Sequence, residues 1–147
     1  MQTPPSSKAP AIILAAALAT LITACARSIG YSDYAEIPPP GWAYGDTLTF
    51  IPDSAVTAYP CIIGLRHTGS YPWTDIVLEV SDSRHRDTIN VSLCDTYGKW
   101  RGTGFGDSYQ VATPMPFAPT PSEPLHFRHV MRVDTLRGLT AIGLLTP

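Results

Sequence analysis

The sequence predicts an all-β fold: a single β-sandwich, jelly-roll or immunoglobulin-like, of roughly seven to eight antiparallel strands. Three observations carry that reading. Short segments alternate apolar and polar residues with a period of two, and turn residues separate them at close spacing. Beyond residue 24, no segment keeps an apolar period of 3.6 with helix caps.

The elements follow in order. Residues 25–41 read as a tether, because Pro38-Pro39-Pro40-Gly41 favours an extended polyproline stretch over a helix or a central strand. Such a tether would lift a folded domain, residues 42–147, slightly off a membrane. Thr47-Leu48-Thr49-Phe50 alternates polar and apolar. Val56 to Arg66 reads as a longer strand with Pro60 at an edge or bulge. Gly69-Ser70-Tyr71-Pro72 is a turn. Asp75 to Ser81 puts Ile76, Leu78 and Val80 on one face, and Asp87 to Leu93 does the same for Ile89, Val91 and Leu93. Leu125 to Val133 groups Leu125, Phe127, Met131 and Val133, with His129 on the same parity. Gly138 to Leu145 supplies a final apolar strand. Two stretches read as irregular: Tyr97 to Asp107, with Gly98, Gly102, Gly104 and Gly106 around Trp100 and Phe105, and Thr113 to Pro124, with five prolines. Loops on a rigid sandwich are where binding residues concentrate.

What precedes residue 25 is of another kind. Met1 to Lys8 is polar, Ala11 to Ala19 is wholly apolar, and Leu21-Ile22-Thr23-Ala24-Cys25 has the pattern of a lipobox. The apolar run is short of the ~20 residues needed to span a bilayer. Residues 1–24 therefore read as a lipoprotein signal peptide, cut after Ala24, with Cys25 carrying a diacylglycerol and an acylated amine. Two or three chains hold a protein on a bilayer far more firmly than one.

Bulk composition narrows the function classes. Cleavage would leave 123 residues, enough for one domain, and losing Lys8 would leave 9 basic against 12 acidic side chains, a net charge of −3. There is no basic patch for a nucleic acid. With Cys25 lipidated, Cys61 and Cys94 remain. Strand parity turns Cys61 inward and Cys94 outward, which argues against a bridge and leaves Cys61 as a buried free thiol.

No catalytic constellation stands out. Gly102-Thr103-Gly104-Phe105-Gly106 is not followed by the helix a phosphate loop requires. Gly106-Asp107-Ser108-Tyr109 resembles the nucleophile block of a serine esterase family, but no Asp-x-x-His follows to activate Ser108. His126 and His129, three apart on a strand, point to opposite faces and lack further metal ligands. Asp82 and Asp87 bracket Arg84 and Arg86 as a solvated hairpin tip, and Asp134 lies between Arg132 and Arg137 as local charge compensation. Arg66 sits opposite the inferred core face, as a structural partner of an aspartate or as a partner contact. Trp100 is expected to pin its loop onto the end of the sandwich with its indole N–H bonded.

Several blocks taken together carry a resemblance. Trp42 follows the prolines. Gly64-Leu65-Arg66-His67 leads into Tyr71-Pro72-Trp73-Thr74-Asp75-Ile76. Then come Asp87-Thr88, Leu93, Gly98-Lys99-Trp100-Arg101-Gly102-Thr103-Gly104 and Gly106-Asp107-Ser108-Tyr109. Met131-Arg132, Leu136, Gly138-Leu139 and Ile142-Gly143-Leu144 close the set. In order and spacing this resembles the GldH family of gliding-motility lipoproteins from the Bacteroidota. The resemblance implies an envelope lipoprotein associated with the gliding machinery and its linked secretion apparatus. It also implies other envelope proteins as partners, and no enzymatic activity or cofactor beyond the lipid on Cys25. Trp42, Arg66, Tyr71, Pro72, Gly98, Trp100, Gly102, Gly104, Asp107, Met131, Arg132 and Gly138 are its motif positions and candidate partner contacts. Ala26 and Arg27-Ser28-Ile29 lack the acidic residues tied to inner-membrane retention or surface export, which points to the outer membrane, facing the periplasm. The alternative is a surface carbohydrate-binding lipoprotein, motivated by Trp42, Tyr44, Tyr71, Trp73, Tyr97 and Trp100. Two or more of these rings exposed on one flat face would favour it.

Overall fold

The computed structural model describes residues 30–147. The expected signal peptide, its expected cleavage after Ala24 and the expected lipid attachment at Cys25 lie outside the described residues. Eleven strands and one helical turn follow in order: β1 (Ser32–Glu36), β2 (Trp42–Ala43), β3 (Leu48–Phe50), α1 (Ser54–Thr57), β4 (Ile62–Thr68), β5 (Asp75–Ser81), β6 (Arg86–Ser92), β7 (Thr103–Phe105), β8 (Ser108–Pro114), β9 (Leu125–His129), β10 (Thr135–Leu136) and β11 (Leu139–Leu145).

Two antiparallel sheets face each other. One has the order β1-β11-β4-β8-β7 and the other β3-β9-β5-β6, with a small β2–β10 ribbon beside them. Period-two alternation builds the core from both. Ile63, Leu65, Val111, Ile142 and Leu144 come from the first sheet. Phe50, Ile76, Leu78, Val80, Val91, Leu125 and Phe127 come from the second, and all belong to one buried cluster. Phe50 meets Phe127 edge to face at 5.4 Å between ring centroids, a geometry favoured by the ring quadrupoles.

Four expectations need correction. Residues 25–41 are not all tether: Ser32–Glu36 is a strand of the sandwich, paired from Ser32↔Leu145 to Glu36↔Ala141. On its outer face the Tyr34 ring lies over Gly143 and Gly64, where any Cβ would collide with it. This lid of aromatic carbon is what a sequence ending in prolines did not reveal. Val56 belongs to α1, not to a strand. Asp53 caps that turn by accepting from the Val56 N–H at 2.8 Å, and β4 starts only at Ile62. Ser108–Pro114 is a full seven-residue strand held by β4, from Thr68↔Ser108 to Ile62↔Pro114. Finally, Cys94 is buried, because the chain leaves β6 after Ser92 and bridges to Trp100, which breaks the parity. Cys61 and Cys94 are both free.

Strand direction gives the sandwich two poles about 20 Å apart, the length of a seven-residue strand. At the Gly30 pole lie the start of β1, the end of β11, α1, the β5–β6 turn and the proline-rich crossing after β8. At the Gly138 pole lie the end of β4, the 69–74 turn, the 93–102 loop, the β7–β8 turn and Gly138 itself. The proline-rich crossing is not loose. Asp82 Oδ2 accepts from the Thr120 N–H at 2.9 Å and from its hydroxyl at 2.8 Å, and the Ser122 N–H donates to the Pro52 carbonyl at 2.7 Å. Asp82 Oδ1 accepts the N–H groups of Arg84 and His85. Burial alone would raise the Asp82 pKa. The donors from Arg84, Thr120 and His85 outweigh it and hold the carboxyl well below the usual carboxylate range. The expected solvated tip is thus a structural knot.

Candidate functional site

The Gly138 pole gathers most of the motif positions, and β4 organises it. His67 ends the inner face of that strand and is fully buried. Its Nδ1 lies 2.9 Å from the Thr68 carbonyl. A carbonyl only accepts, so Nδ1 carries the proton, while Nε2 is buried without a partner. Three rings enclose the imidazole: Trp100 edge-on at 4.7 Å, Tyr109 stacked at 5.4 Å, and Tyr71 tilted at 5.8 Å. Trp100 therefore does pin its loop, through its ring face and edge against His67 and Tyr109.

Tyr71 is buried, and its hydroxyl donates to the Asp75 carbonyl at 3.0 Å, tying the 69–74 turn to the start of β5. Burial, then the Asp75 charge, pushes its phenol pKa far up, so it stays a neutral donor. Gly138 sits against the Tyr71 backbone with a φ of 83°, and a Cβ there would come 2.7 Å from Tyr71 Cα. The Gly138 carbonyl accepts from the Thr68 N–H at 2.8 Å. Asp107, in the β7–β8 turn, accepts the Gly69 N–H at 3.0 Å and so links that hairpin to the 69–74 turn between the two sheets. Gly98 turns the 93–102 loop, with Asp95 accepting the Tyr97 and Lys99 N–H groups at 2.8 and 2.9 Å. Gly102 and Gly104 lie directly against β8, at the Gln110 carbonyl and the Tyr109 ring.

The remaining motif positions lie around this nucleus. Trp42 is buried. Its indole N–H donates to the Asp46 carbonyl at 3.0 Å, and its ring meets His129 edge-on at 5.2 Å. His129 is buried, as its parity predicted, and its Nε2 donates to the Trp42 carbonyl at 3.1 Å. Burial pulls its pKa down, against the opposing pull of the Trp42 and Ala43 backbone. The Met131 sulfur accepts the Val77 N–H at 3.3 Å, next to the point where β9 ends. Pro72 and Arg132 are exposed.

Arg66 has no aspartate partner. Its guanidinium lies 3.6 Å over the Tyr34 ring, and its Nε donates to Gln110 Oε1 at 3.2 Å. It lines an open cleft of about 450 Å³ with Thr103, Phe105, Ser108 and Gln110.

Two of the motif residues, Trp42 and Tyr71, are buried, and most of the others shape the turns and loops around His67. What this scaffold presents to solvent at the same pole is Phe105 (94% exposed), Tyr97 (95%) and Trp73 (43%). Phe105 ends the short strand β7 and Tyr97 sits in the 93–102 loop, each beside a glycine, and no alternation pattern marks them as surface. Their signal in the sequence was only a large ring beside glycine. For sugar binding, half of the six-ring set is withdrawn: Trp42 and Tyr71 are core and Trp100 packs on His67, while Tyr44, which meets His129 at 5.7 Å, stays exposed with Trp73 and Tyr97. Among the described residues, no three His, Cys, Asp or Glu side chains are placed to hold a metal ion. No helix among them is long and apolar enough to cross a membrane.

Comparison with curated proteins finds no match. The family model of the GldH lipoprotein matches residues 30–145, from the first described residue to the end of β11. It covers every strand of the sandwich and all the residues that build the Gly138 pole, and this chain belongs to the GldH lipoprotein family.

Proposed function

We propose that this protein is a non-enzymatic lipoprotein of the cell envelope, a component or assembly factor of the gliding-motility machinery and its associated secretion apparatus. It is acylated on Cys25, held on the outer membrane facing the periplasm, and binds other envelope proteins through the Gly138 pole. The observation that carries this is the clustering itself. Motif residues from the 69–74 turn, the 93–102 loop, the β7–β8 turn and the Gly138 segment converge around buried His67 and Tyr71 at one pole, where Trp73, Tyr97 and Phe105 are exposed, while the chain enters the domain at the opposite pole. Rigidly held exposed aromatics are the usual anchors of protein interfaces.

Two measurements test the reading. A Cys25→Ala variant is expected to stay unprocessed and to leave the tightly bound membrane fraction. Photo-crosslinkers placed at Tyr97 or Phe105 are expected to capture defined envelope proteins in native membranes, and a crosslinker at Ala55 is expected not to. Equal capture from both poles, or full membrane retention of the alanine variant, refutes it.

A further inference from the structure

The Gly30 pole is the other exposed apolar region of the described residues. Ile51 is 66% exposed and Tyr59 62% exposed, and they flank α1 at its two ends. Tyr59 also borders an open cleft of about 370 Å³ with Tyr31, Ala55 and Pro147. The pole is continuous with the β5–β6 turn. The Ser122–Pro52 hydrogen bond joins the Ile51 loop to the proline-rich crossing, and Asp82 joins that crossing to the turn that carries the exposed Arg84.

Chain length decides what this pole faces. Cys25 and Gly30 are separated by five residues, which even fully extended span at most about 18 Å. An acyl chain on Cys25 sits in the bilayer, so the Gly30 pole cannot stand further than that from its surface. The 17-residue tether first read from the sequence would have allowed roughly three times the reach.

From this reach and the exposed side chains, we infer that the Gly30 pole rests on the lipid surface, with Tyr59 and Ile51 in the headgroup region and Arg84 against anionic headgroups. The inference rests on the acylation of Cys25 proposed above. Tyrosine is enriched at membrane interfaces because its ring is apolar and its hydroxyl is wet. Arginine near an anionic leaflet adds attraction that salt screens. Contact with the bilayer fixes the domain's tilt and aims the Gly138 pole away from the membrane.

Of the three native tryptophans, Trp73 and Trp100 lie at the Gly138 pole and Trp42 is buried beside His129, away from the Gly30 pole, which makes a clean optical test possible. The full-length acylated protein is placed in vesicles of brominated phosphatidylcholine and phosphatidylglycerol. Wild-type tryptophan emission is expected to be unquenched. Tyr59→Trp and, independently, Ile51→Trp are expected to add blue-shifted emission that the brominated lipid removes. Phe105→Trp is expected to add emission it does not remove. Acylation is read separately, from the mass of the N-terminal peptide and from co-flotation with vesicles. If both pole variants are acylated and float but their added emission is unquenched, the docking is overturned while the anchor stands. If Cys25 carries no acyl chain, the anchoring reading fails and the docking falls with it.

Discussion

Gly143→Ala is expected to destabilise this domain, and Tyr34→Ala is expected to abolish that effect. In the outer face of the five-stranded sheet, Tyr34, Gly143 and Gly64 lie side by side on β1, β11 and β4. A Cβ on Gly143 would come 2.5, 2.7 and 2.7 Å from three ring carbons of Tyr34, where carbon contacts ordinarily begin near ~3.5 Å. The ring would have to rise by about 1 Å, toward the Arg66 guanidinium that lies 3.6 Å above its centroid. Overpacking of this kind costs about 1–3 kcal/mol, and loss of the cation–π contact adds about 0.5–1 kcal/mol. In a Tyr34→Ala background the three nearest clashes of the methyl group are gone, and replacing a strand glycine returns about 0.5–1 kcal/mol. The two changes should therefore couple by about 2–3 kcal/mol. Urea unfolding of the four proteins in the double-mutant cycle measures it. Effects that add to within about 0.5 kcal/mol would refute the aromatic-lid account.

Two further outcomes follow from buried polar groups. Asp82→Ala removes hydrogen bonds from three backbone N–H groups, the Thr120 hydroxyl and His85 Nδ1 to an ionised, sheltered carboxylate, and should cost about 3 kcal/mol and lower Tm by about 12 °C. Hydrogen exchange at the Thr120 amide should accelerate with it. Because its folded pKa is depressed, Asp82 contributes stability that is fully present above about pH 4 and is lost as pH falls through the folded value. His129 works in the same direction but in a higher pH window. Its folded pKa is lowered, so the unfolded chain binds a proton first. Stability should decline as pH drops below about 6.5, and His129→Gln should flatten that part of a Tm-against-pH curve. An unchanged slope would mean that His129 is not the group titrating there.

Where one face of a strand is wholly buried, the sequence declares it. β5 carries Ile76, Leu78 and Val80 with polar residues between them, and its limits are readable to the residue. β8 is equally long but has only Val111 fully buried on its inner face, between Tyr109 and Thr113, and is flanked by glycines and prolines. It is a strand because β4 pairs with all of it, and no local pattern encodes that. β1 hides for a related reason. Its key residue, Tyr34, packs outward onto glycines more than 100 residues away in one case and 30 in the other. The turn capped by Asp53 was hidden, because the apolar run from Val56 onward reads as a strand. At the candidate site, the glycines and Trp100 are visible as punctuation. The burial of His67 among three rings is not, because those rings come from three separate segments.

The pairing of β1 with β11 also has a mechanical meaning. With an anchor at Cys25 and a load taken up at the Gly138 pole, tension runs along the axis of β1. Its partner β11 is held in the middle of the sheet by β4. A strand pulled lengthwise past its neighbour strains all five of its paired positions at once, whereas one pulled sideways gives them up one after another. A tugged tether would thus meet the stiffest direction this sheet offers.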